Sequence, residues 1–92
     1  MNTKEVFTVE GFLPVKENTW LVRGRAYQNL KVGDTVAIDK SNQFTITAIS
    51  TYGKGVQVLN RMLTGDLTLR GANGERLKDA GMLVKPLDFS SD

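Results

Sequence analysis

A chain of 92 residues without cysteine or histidine is the length of one domain, and it excludes a disulfide framework, a thiolate metal site and the side chains that most often act as base or nucleophile near neutral pH. Twelve basic residues against 10 acidic ones leave a net charge of +2, scattered in small groups rather than gathered into the patch or stripe of a dedicated nucleic-acid binder. Hydrophobic residues, 40% of the chain, suffice for one modest core, yet nowhere form the ~20-residue run of a membrane span.

Residues 5–10 alternate with the two-residue period of a half-buried strand, with Phe7 and Val9 on one side and Val6 and Thr8 on the other. Residues 11–18 read as a connection, because Pro14 lacks a backbone donor and Lys16, Glu17 and Asn18 are polar. A second strand is expected over residues 20–26. Asn29, Gly33 and Asp34 then mark a turn that delivers Val36 and Ile38 to one face of a third strand, leaving Thr35 and Asp39 outward.

After a polar connector at 40–43, Phe44, Ile46 and Ala48 alternate with Thr45 and Thr47 in the longest β-prone run. Tyr52-Gly53-Lys54-Gly55 supplies two glycines able to take positive φ, so residues 56–60 are expected to fold back as a hairpin partner. Leu67 and Leu69 define another strand, closed by Gly71-Ala72-Asn73-Gly74. A single helical turn is expected over 75–80, broken by Gly81, and a short last strand over 82–85 ends at Pro86. Seven short strands without a long helix predict an all-β barrel, a single domain over residues 1–87 with a loose tail at 88–92. Residues 1–7 show no apolar run behind a basic segment, so the expected setting is a reducing cytoplasm.

The order of these signals resembles the β-barrel that forms domain II of translational GTPases such as elongation factor Tu, elongation factor G and initiation factor 2. Four stretches carry the resemblance: the corner Leu30-Lys31-Val32-Gly33-Asp34-Thr35-Val36-Ala37-Ile38, the strand Phe44-Thr45-Ile46-Thr47-Ala48-Ile49, the strand Gly65-Asp66-Leu67-Thr68-Leu69-Arg70-Gly71, and the closing Leu77-Lys78-Asp79-Ala80-Gly81-Met82-Leu83. Together they span most of the chain. The resemblance implies a closed or partly open antiparallel barrel of six to seven strands. No Gly-x-x-x-x-Gly-Lys-Ser/Thr run is present, so GTPase activity is not carried over and no nucleotide is expected to bind. The Gly-Arg-Gly usual in the family's second strand is replaced by Trp20-Leu21-Val22-Arg23-Gly24-Arg25, and that strand does not inherit the family's RNA or aminoacyl-end contacts by motif.

Asp34, Asp39, Asp66, Glu75 and Asp79 lie mostly beside turns, where carboxylates cap backbone donors, so neither a catalytic pair nor a metal site is read from them. No cofactor is expected. Arg23 and Arg25 share a strand face with Leu21, opposite Trp20 and Val22, and form either a solvated face or a patch for phosphate or carboxylate. Trp20 reads as a core or rim residue. Tyr52 and Lys54 combine an aromatic ring with an ammonium, as single-strand binders do, or make a plain turn; Arg61 and Arg70 add charge nearby. The function expected is a non-enzymatic binding module contacting RNA or a ribonucleoprotein through Arg23, Arg25, Tyr52, Lys54, Arg61 and Arg70. The alternative is a protein-interaction or assembly module, as a homo-oligomer or a subunit of a larger complex. Ligand binding in the barrel mouth rests on architecture alone.

Overall fold

Turn chemistry and alternation divide the chain into β1 (Glu5–Lys16), β2 (Thr19–Ala26), β3 (Leu30–Lys31), β4 (Thr35–Asp39), β5 (Asn42–Thr51), β6 (Lys54–Val56), β7 (Val58–Leu59), β8 (Thr64–Arg70) and β9 (Met82–Val84). A 3-10 turn at Gly74–Arg76 runs into one helical turn, α1 (Leu77–Ala80), before β9. The computed structural model describes residues 5–86, so the expected boundary between residues 87 and 88 lies outside the described residues. Six strands close an antiparallel barrel in the order β4-β9-β1-β2-β8-β5, with β5 returning to β4; β6 extends the sheet beyond β5. β3 and β7 pair separately as a two-residue ribbon, Leu30 opposite Leu59. No helix among the described residues is long and apolar enough to cross a membrane.

Alternating strand directions sort the connections. One end of the barrel carries segments 27–34 and 52–63, together with the entry to β1 and the exit from β9. The other carries the hairpins at 17–18 and 40–41 and the segment 71–81. Inward residues such as Phe7, Val22, Phe44, Ile46, Leu67 and Leu69 fill the interior and are buried to 1% exposure or less. Leu30 and Leu59 close the first end and Leu77 belongs to the same core from the second. The interior is therefore packed side chain, as expected of a small barrel.

Four expectations need correction. β1 continues through residues 11–16 instead of becoming a connection, pairing with β2 as far as Lys16 opposite Thr19. Pro14 is tolerated because β9 pairs with β1 only between Glu5 and Thr8, so this part of β1 is a sheet edge where a missing N–H breaks no ladder. In β5 an irregularity between Ile46 and Ala48 shifts the alternation, so Ile49 is buried and Ala48 is exposed. A second irregularity, between Ala37 and Asp39, buries Val36 and Ala37 side by side and leaves Ile38 half-buried.

The fourth concerns the ribbon after β5. Its tip is the two-residue Tyr52-Gly53, with φ of 53° and 78°, whereas Gly55 sits inside β6. Residues 56–60 are not one strand, because the chain bends at Gln57, whose carbonyl accepts from Val32 N–H at 3.0 Å, and β7 leaves β5 to carry Leu59 to Leu30. The Gly33-Asp34 corner forms as read: Gly33 takes φ 100°, and the Asp34 carboxylate accepts from Lys31 N–H at 3.0 Å.

Trp20 is the rim residue of the second end. Its ring stacks on Phe12 with centroids 5.9 Å apart and planes 20° from parallel, and its Nε1–H donates to the Gly71 carbonyl at 2.8 Å. Gly74 lies directly on the indole, where a Cβ would overlap ring atoms.

Candidate binding surface

The two long connections at the first end are tied by hydrogen bonds to the end of β2 and to each other. Ala26 N–H donates to Leu63 O at 2.9 Å and Met62 N–H to Ala26 O at 2.7 Å, while Arg61 N–H donates to the Asn29 side-chain oxygen at 2.7 Å. Tyr27 N–H is fixed on Val6 O at 2.9 Å. Residues 60–63 form a turn closed by Leu63 N–H on Asn60 O at 3.1 Å, and Met62 occupies its left-handed position with φ 75°. A bulky side chain is uncommon there. The methionine is 50% exposed, and Tyr27 at the same end is 37% exposed.

The six residues singled out from the sequence separate into three places. Arg25, opposite Thr64 on the outward face of β2, Arg61 in the 60–63 turn, and Tyr52 with Lys54 on the β5–β6 hairpin all belong to the connection end. Tyr52 is 84% exposed at the tip. By register, Lys54 opposes Thr51 and so falls on the other face of that hairpin from Ser50, Asp66 and Arg23.

Arg23 stands on the outer wall and is engaged. Its Nε–H donates to Asp66 Oδ1 at 2.8 Å and its second nitrogen to Oδ2 at 3.3 Å. The hydrogen bond and the charge of Asp66 raise the guanidinium pKa further, so this cation is matched within the sheet and adds little field for an external anion. Arg70 lies at the opposite end, on a groove described below.

The acids behave as turn residues. Asp39 accepts from Asn42 Nδ2–H at 2.8 Å and from Ser41 N–H at 2.9 Å, with Arg76 3.8 Å away. The Asn42 bond is the main reason its carboxyl sits below the ordinary carboxylate range; the Ser41 N–H and Arg76 act the same way, against a partial desolvation. Glu5 accepts from the Thr8 hydroxyl. Among the described residues no three metal-ligating side chains cluster, and no buried side-chain nitrogen or oxygen lacks a partner.

Tyr27 and Met62 escaped sequence reasoning. Tyr27 follows the expected strand at 20–26 as the first residue of a turn segment, where a lone tyrosine carries no binding motif, and a methionine in a left-handed turn has no sequence signature, since glycine or asparagine is the usual occupant. The connection end thus offers exposed rings, a thioether and cations held on hydrogen-bonded loops: a surface for stacking and charge pairing. No family model matches the chain, and no curated protein is detectably similar to it.

Proposed function

We propose that this barrel is a non-enzymatic binding module that presents its connection end to single-stranded RNA. One observation carries the reading: Asn29 and Arg61 tie the two long connections together, and that same end of the barrel carries exposed Tyr27 and Met62, Arg25 on the outer sheet face and the Tyr52-Lys54 hairpin. Exposed tyrosines give bases a stacking platform and the guanidinium and ammonium groups meet phosphates, a combination that tolerates sequence. The order of the sequence motifs, which resembles that of domain II of translational GTPases, supports a binding module and does not by itself choose the partner.

The test is a fluorescence-anisotropy titration of a labelled oligouridine and of an RNA hairpin, repeated at rising salt. Three phosphate contacts, from Arg25, Lys54 and Arg61, correspond to a log–log salt slope of about −2 on a single strand. The single strand is expected to bind better than the hairpin, and Arg61→Ala to flatten the slope by about one contact. Absence of binding at low salt removes the proposal.

A further inference from the structure

We propose that the groove at the other end of the barrel is a separate binding site, for a short acidic peptide segment carrying apolar side chains. The groove has a volume of about 670 Å³ and lies between the β1–β2 hairpin and the outer faces of β8 and β5, lined among others by Val15, Lys16, Thr19, Thr47, Thr68 and Arg70. It exists because β1 outruns β9, so its last residues and the start of β2 project beyond the closed barrel.

Charge decides the sign of the ligand. Lys16 and Arg70 both line the groove, and among the described residues neither forms an ion pair and Glu17 at the hairpin turn is the single carboxylate lining it. Apolar surface decides its character. Val15 is 52% exposed, and Leu13, 58% exposed, shares a cross-strand row with Leu21, Thr68 and Ala48. An isolated phosphate would use the cations and leave this row wet, whereas a carboxylate neighboured by an apolar side chain uses both.

Hydroxyls can complete the recognition. Thr47 Oγ1–H donates to Thr68 O, and Thr19 Oγ1–H to Glu17 O, both at 3.3 Å. These are long for hydroxyl bonds and easily exchanged for a ligand acceptor. Among the described residues no aromatic ring lines the groove, so they offer no stacking platform of the kind single-stranded RNA needs. The peptide is favoured on that ground.

The experiment is an amide NMR titration of the whole chain with three probes: an acetylated peptide of alternating glutamate and leucine, its lysine–leucine counterpart, and oligouridine. Saturable shifts at Thr19, Thr47, Thr68 and Arg70 are expected with the acidic peptide alone. The K16E/R70E double variant is expected to lose at least about tenfold in affinity, since each charge-assisted bond contributes on that scale, and R70Q to lose less in the same direction. R25A/R61A, at the opposite end, should leave peptide binding unchanged. The proposal is overturned if the lysine peptide binds equally, if oligouridine shifts these same amides, or if R70Q, with a native spectrum, binds the acidic peptide as tightly as the parent.

Discussion

Replacing Gly74 by alanine adds one methyl group, and that methyl has nowhere to go. It would overlap Cδ2, Cε2 and Nε1 of Trp20, a ring already held from another side by Phe12 and anchored through Nε1–H on Gly71 O at 2.8 Å. Overpacking of this kind costs about 1–3 kcal/mol, and displacing the indole far enough to break its hydrogen bond costs about 1 kcal/mol more. The expected loss is thus about 2–4 kcal/mol, a large share of the roughly 5–14 kcal/mol typical of a domain this size, and it lowers Tm by about 10–25 °C. Urea denaturation followed by far-UV circular dichroism and by the fluorescence of Trp20, the chain's single tryptophan, measures both parts. A red-shifted native emission with an unchanged m-value is expected. The matched control is Gly55→Ala, where a Cβ meets nothing within 4 Å and φ is not positive; it should be neutral or stabilising by up to about 1 kcal/mol. If Gly74→Ala stays within about 0.5 kcal/mol of the parent with unshifted emission, Trp20 is not packed tightly against residue 74.

Met62→Gly should raise stability by up to about 1 kcal/mol in calorimetry, because relief of a left-handed methionine, about 1–2 kcal/mol, exceeds the extra chain entropy of glycine, about 0.5–1 kcal/mol; a fall in Tm would show that the exposed thioether is packed after all. Leu59→Ala removes a fully buried side chain contributed by the β3–β7 ribbon and should cost about 2–5 kcal/mol in urea, whereas a cost below about 1 kcal/mol would show the ribbon to be dispensable. The depressed Asp39 carboxyl contributes stability that is present above its unfolded-state pKa and lost as pH falls through the lower folded value. A carboxyl NMR titration should therefore place its midpoint below the ordinary range, and Asn42→Ala should move it upward; an unmoved midpoint would remove Asn42 as the main cause.

What could be read from the chain was whatever local chemistry dictates. Gly33-Asp34 is a turn by backbone freedom and carboxylate capping, and Phe44 and Ile46 alternate inward because a half-buried strand demands it. What could not be read depends on distant partners. Pro14 sits inside a strand because β9 is too short to need its N–H, and Ile49 is buried because an irregularity against β8 shifts the pattern by one. The same limit applies to the surface. Arg23, Arg25 and Arg70 look alike in sequence, yet Asp66, 43 residues away, engages the first, and the topology sends the other two to different ends of the barrel.

Glu5 pairs with Val84, so the chain enters and leaves the barrel on adjacent antiparallel strands. A unit built this way can be spliced into a surface loop of a host protein without prying the host's own strands apart. By the same geometry, a short linker between these ends and a new break at the Lys40-Ser41 hairpin would give a circular permutant that retains every strand pairing of the original.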